Sequence, residues 1–100
     1  MTSFPDLLRS WISQNAGDLA SDGVQAILTE GPQDRDRRAV WADFDSANRL
    51  ARLTVWDTGE AVLALADAAA ENPPVTQQLE FASSTDLERA VASAVAWVAE

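Results

Sequence analysis

The chain has 100 residues, 47% hydrophobic and 23% charged, the balance of a globular protein and not of a disordered one. Sixteen acidic residues oppose seven basic ones, all arginine, and the net charge of −9 repels phosphate backbones and anionic lipid while favouring a basic protein partner. Cysteine and histidine are both absent, which excludes disulfides, thiolate metal sites and the commonest general base.

From the N-terminus, SFPDLLRSWISQNAGDLA places Phe4, Leu7, Leu8, Trp11, Ile12 and Leu19 at three- and four-residue intervals, the stripe of an amphipathic helix. Ser3 caps it, Pro5 suits its first turn, Asp6 complements the positive end of its dipole, and Gly17 ends it or marks a break near its end. The run VQAILTE (24–30) reads as a strand, followed by a solvated loop, GPQDRDR, and a second strand, RAVWADFD. Two more strands, RLARLTVW (49–56) and EAVLALAD (60–67), flank Asp57, Thr58 and Gly59, a spacing that fits a three-residue hairpin with a left-handed glycine. The alanines of ALADAAA favour helix and can end the fourth strand early. After two prolines, VTQQLEFA alternates Val75, Gln77, Leu79 and Phe81 with Thr76, Gln78 and Glu80, a fifth strand. A closing helix begins at SSTDLERAV, where Thr85 and Glu88 have capping-box spacing, and carries Leu87, Val91, Ala94 and Val98 on one side.

The order is α-β-β-β-β-β-α, and the connections between successive strands are too short for parallel crossovers. The expected fold is therefore α+β: one domain over residues 1–100, a five-stranded antiparallel meander with the N-terminal and C-terminal helices packed on one face. No basic leader precedes an apolar segment at the N-terminus and no run is long enough to span a bilayer, so a cytoplasmic protein is expected.

The Asp57–Gly59 turn sets a register. With Trp56 facing Glu60, Val55 meets Ala61, Leu53 meets Leu63 and Ala51 meets Leu65 on a uniformly apolar side. The other side mixes Leu50, Arg52, Thr54, Trp56, Glu60, Val62, Ala64 and Ala66. For Trp41 the loop length decides. A two-residue loop at Ser46 and Ala47 sets it opposite Arg52 on the mixed side, whereas a three-residue loop ending at Asn48 sets it opposite Leu53 in the core. Val40, Ala42 and Phe44 are a better core set than Trp41, Asp43 and Asp45, which favours both tryptophans on the mixed side. There they either seal the core edge or, with Arg52 and Asp43, form a contact patch of the residue types that dominate protein interfaces. Trp11 and Trp97 lie on or beside helix stripes and are expected in the core.

Catalytic machinery is sparse. The carboxylate pairs Asp43/Asp45 and Asp34/Asp36 lack the companions that hydrolysis or metal binding needs, and DFDSANRLARLT fails as a calcium loop at Ala47, Asn48 and Thr54. Arg35, Arg37 and Arg38 are balanced by the aspartates beside them, and no glycine-rich phosphate loop or nucleophile elbow occurs. No metal or cofactor is implied.

The segment RLTVWDTGEAVLAL, followed by QQLEF and by SSTDLERAV, resembles the TriTu family of bacterial immunity proteins over roughly the C-terminal two thirds of the chain. The N-terminal helix and GPQDRDRR do not contribute to that likeness. The resemblance implies a non-enzymatic antitoxin that binds a cognate ADP-ribosyltransferase toxin, delivered between bacteria and aimed at an elongation factor, and occludes its NAD or target cleft. Monomers and a one-to-one complex with the toxin domain are expected, without nucleic acid or membrane. Face arithmetic, and not the family, nominates Trp56, Arg52, Asp57 and Glu60 as toxin contacts, with Asp43 and Trp41 secondary. The competing reading is a small acidic secretion chaperone or adaptor that masks a partner segment; an enzyme working through carboxylates alone ranks last.

Overall fold

A computed structural model describes residues 3–31, 38–68 and 73–99. Its elements are α1 (Phe4–Ser21), β1 (Gln25–Glu30), β2 (Ala39–Asp45), β3 (Arg49–Trp56), β4 (Glu60–Asp67), β5 (Val75–Glu80) and α2 (Ser84–Ala99). The strands form one antiparallel sheet in the order β1-β2-β3-β4-β5, so each pairs with its neighbour in sequence. This is the expected α-β-β-β-β-β-α meander.

The pleat explains where the core lies. On β2, Val40, Ala42 and Phe44 are buried; on β3, Ala51, Leu53 and Val55; on β4, Ala61 and Leu63. These alternate residues share one face of the sheet. They meet Leu8 and Leu19 of α1 and Leu87, Val91, Ala94 and Val98 of α2 in a single apolar cluster, so both helices lie on the same side. Trp11 meets Phe44 edge-on with ring centroids 6.4 Å apart, and Trp97 packs against the margin of the cluster. Both tryptophans belong to the core side, as their helix spacing suggests.

The start of α1 follows the expectation, with the Ser3 hydroxyl accepting from the Asp6 N–H at 3.3 Å. Its end does not. The helix runs through Gly17 to Ser21, and the chain turns only at Gly23, with φ of 77°. Val24 N–H donates to Leu19 C=O at 2.9 Å and Gly23 N–H to Ala20 C=O at 3.1 Å, while Leu19 and Val24 both enter the core. That pairing is a Schellman closure, so Val24 caps the helix and is not the first residue of β1. At α2 the Thr85/Glu88 box is not used. The helix begins two residues earlier, at Ser84, and the Asp86 carboxylate accepts from the N–H groups of Ala82 at 2.8 Å and Ser83 at 3.2 Å. Asp86 thus supplies both the cap and the negative charge at the dipole's positive end. The fourth strand keeps its full length despite its alanines, and the fifth ends at Glu80, two residues before the expected limit. Of the GPQDRDR loop, positions 32–37, which include Asp34, Arg35, Asp36 and Arg37, lie outside the described residues.

Two local devices fix the sheet. Gly59, with φ of 94°, closes the β3–β4 hairpin through its N–H to Trp56 C=O at 3.1 Å. A Cβ added there would stand 2.9 Å from the Phe81 carbonyl oxygen and 3.3 Å from the Phe4 ring. Arg49, at the other end of β3, donates to Asp67 at 3.2 Å and to the Trp97 carbonyl at 2.8 Å, with its guanidinium 4.7 Å from the Trp97 ring centroid. A cation thereby meets the negative end of α2 and fastens it to the sheet.

Gly59→Ala is expected to lower unfolding free energy by about 1–3 kcal/mol, because both the backbone conformation and the Phe81 carbonyl resist a side chain. Arg49→Ala should cost about 1–2 kcal/mol through the half-buried hydrogen bonds it removes. Urea titration followed by tryptophan fluorescence checks both, and unchanged midpoints would contradict the roles assigned to these residues.

Candidate functional site

The face of the sheet opposite the helices carries the residues nominated from the sequence. Its rows follow from strand register. Ile27, Asp43, Arg52, Ala64 and Thr76 lie side by side across the five strands, and the next row is Thr29, Trp41, Thr54, Val62 and Gln78. Beyond it Ala39 pairs with Trp56, and Glu60 pairs with Glu80.

The β3–β4 register is the expected one, with Val55 opposite Ala61, Leu53 opposite Leu63 and Ala51 opposite Leu65. Between β2 and β3 the structure corrects the expectation. Ser46 N–H donates to Arg49 C=O at 2.9 Å around Ala47 and Asn48, which puts Trp41 opposite Thr54 and Asp43 opposite Arg52. Relative to the favoured loop at Ser46 and Ala47 this is a shift of one residue along the chain and two in partner. An even shift preserves the face, so Trp41 stays with Trp56 on the helix-free side while its partner changes from Arg52 to Thr54.

The shift creates a specific contact. Directly opposite Asp43, Arg52 donates from Nε to Oδ1 at 2.7 Å and from Nη2 to Oδ2 at 3.2 Å, the two-pronged geometry of a guanidinium on a carboxylate. Its guanidinium carbon lies 5.8 Å from the Trp41 ring centroid. The Asp43 hydrogen bond raises the Arg52 pKa above its ordinary value, with burial opposing and Coulombic attraction adding to the effect. Arg52 is therefore a cation that pairs with the Asp43 carboxylate and lies near the Trp41 indole. Trp41 also passes close to Gly31, where a Cβ would come within 3.3 Å of its ring, so the absence of a side chain makes room for it.

Trp56, diagonal to Trp41 on the lattice, is half-buried. With Glu60, Val62, Gln78 and Glu80 it lines an open groove of about 650 Å³. Asp57 departs from the nominated cluster. It sits in the turn at the end of the sheet, where its N–H donates to Arg38 C=O at 3.1 Å. The structure thus assembles Asp43, Arg52 and Trp41 in one group and Trp56 with Glu60 in an adjoining one. It leaves Asp57 at their rim.

Several residues of this face were not nominated. Ile27 is 49% exposed and Leu50 39% exposed, both apolar and both on the open side. Glu80 and Gln78 enter the groove because β5 pairs with β4. Alternation in VTQQLEFA already grouped Gln78 with Glu80, but only the β4–β5 register brings them to Trp56. Among the described residues no set of three or more acidic, histidine or cysteine side chains is placed to hold a metal ion, and no helix is long and apolar enough to cross a membrane.

Residues 6–97 match the family model described as Immunity protein TriTu. The chain belongs to the TriTu immunity protein family. The match takes in α1 as well as the sheet and α2, so it is wider than the C-terminal likeness read from the residues alone. Searches of curated proteins and of solved structures return no match. An immunity protein acts on a protein toxin, and for this TriTu member the helix-free face is the surface on which aromatic, apolar and charged side chains are gathered.

Because Arg52 is more than half exposed, its fork with Asp43 is expected to orient the guanidinium more than to hold the fold. A double-mutant cycle with Asp43→Ala and Arg52→Ala should give a coupling of about 1 kcal/mol or less in unfolding free energy. A coupling several times larger would make the pair a structural element and remove it from the candidate surface.

Proposed function

We propose that this protein is the antitoxin of an interbacterial ADP-ribosyltransferase toxin directed at an elongation factor. It acts in the cytoplasm, has no catalytic role, and binds the toxin domain one-to-one so as to cover its NAD or target cleft. The family match supports the immunity role, and favours it over that of a secretion chaperone. The observation that carries the choice of surface is a sheet face without helices, where Trp41, Trp56, Ile27 and Leu50 remain partly or largely accessible.

The chemistry of that face matches a basic partner. Asp43, Asp45, Glu60 and Glu80 share it with one described cation, Arg52, which is already bound to Asp43. Such a field speeds encounter with a positively charged cleft, and tryptophan then supplies the apolar area that holds the complex together. Trp56, Arg52, Asp57 and Glu60 are the proposed principal contacts, with Asp43 and Trp41 behind them.

If the gene beside this protein's own encodes a toxin domain, co-expression of the two should restore growth. In calorimetry of the same pair, Trp56→Ala should weaken binding by at least about 2 kcal/mol while the circular dichroism spectrum is unchanged. Absence of both binding and protection for the wild-type protein would sink the antitoxin reading. Unfolding of Trp56→Ala would instead return that residue to the core.

A further inference from the structure

The second edge of the sheet differs from the first. Edge strands offer unpaired backbone groups, and proteins blunt them with charge, proline, a bulge or a covering element. Along β1 packs α1, whose Arg9 reaches Glu30, and Ala26 and Leu28 are half-buried beneath the helix. Among the described residues β5 has no such cover. It pairs with β4 over six consecutive residues without a bulge, holds no proline or cation, and carries a single charge at its last position, Glu80.

The direction of its free groups follows from one hydrogen bond. Phe81 N–H donates to Gly59 C=O at 2.8 Å, which sets the phase of the β4–β5 ladder. Val75, Gln77 and Leu79 turn their backbone polar groups toward β4, and Thr76, Gln78 and Glu80 turn theirs outward. All three outward residues are exposed.

Grooves flank the strand on both faces. On the helix-free side lies the one formed by Trp56, Val62, Gln78 and Glu80. On the helix side α2 stops short of β5, leaving a groove of about 350 Å³ between Leu63, Leu79 and Phe81 of the sheet and Arg89 and Ala90 of the helix. Val75, on that same side, is 56% exposed.

We propose that β5 is the pairing edge for an extended segment of the toxin, which adds a sixth strand to the sheet. This rests on the antitoxin reading and gives its contact a geometry. The fitting segment alternates. Side chains on the helix side are apolar, to meet Val75, Leu79 and Ala90, and those on the open side are cationic or polar, to meet Gln78 and Glu80. Its backbone joins the outward N–H and C=O groups of Thr76, Gln78 and Glu80, and its open-side residues continue the surface that begins at Trp56.

The ladder phase supplies a selective variant. Proline at position 78 removes an outward donor and leaves every β4–β5 hydrogen bond available, so Gln78→Pro blocks the edge without opening the sheet. With the toxin domain used above, Gln78→Pro is expected to weaken binding about tenfold or more, with an unchanged melting temperature. In the wild-type complex, hydrogen exchange at the Thr76, Gln78 and Glu80 amides should slow about tenfold or more relative to the free protein. Slowed exchange decides in favour even where the proline variant misfolds. Tight binding by a folded Gln78→Pro protein, or unaltered exchange at those amides in a formed complex, overturns strand addition and leaves the antitoxin reading standing. No complex with the wild-type protein overturns both.

Discussion

The structure depends on covering one face of a five-stranded sheet with two helices. In β3 the strict alternation of the pleat makes that constraint visible: Ala51, Leu53 and Val55 are fully buried, while Arg52 between them and Leu50 just before them are exposed. Leu8, Leu87, Val91 and Val98 complete the buried side. Among the described residues no element covers the other side, so an apolar or aromatic residue with the opposite parity faces outward. The candidate surface is therefore a direct consequence of the core, since the same backbone alternation places both.

Much of this was legible because it depends on period and parity. The helix stripes, the strand sequence and the three-residue turn ending at Gly59 all followed from spacing. They agreed with the structure because local turn chemistry and global burial point the same way. The loop at Ala47 and Asn48 was not legible, since neither residue carries a strong turn signature, and the expected register was displaced by two partners. Parity survived the error, so Trp41 came to the right face. Its partners did not, and the Asp43–Arg52 fork became evident only from the pairing of β2 with β3. Gly17 misled for a related reason. An exposed glycine inside a helix looks like a stop, whereas the end was set one turn later by burial of Leu19 and Val24 around Gly23.

The site divides along the same line. Individual side chains such as Trp56 and Arg52 could be nominated from one hairpin. The groove that joins Trp56 to Gln78 and Glu80 could not, because it needs the pairing of β4 with a strand beyond a proline-containing connection. Electrostatics were legible in sum, as a net charge of −9, and became local only when the sheet gathered four carboxylates on its helix-free face. In a TriTu immunity protein that distribution favours approach by a basic surface, and the proposed role of the indoles is to close the contact once water is expelled.

The four tryptophans provide their own internal control, two on each side of the sheet. Their indole N–H signals, assigned by single substitution and followed by nuclear magnetic resonance during titration with the toxin domain, test most directly whether the helix-free face is the contact surface. The account predicts that the Trp41 and Trp56 signals move or broaden as the complex forms, while those of Trp11 and Trp97 keep their positions. Movement of Trp11 and Trp97 with Trp41 and Trp56 unaffected would place the toxin on the helices and contradict it.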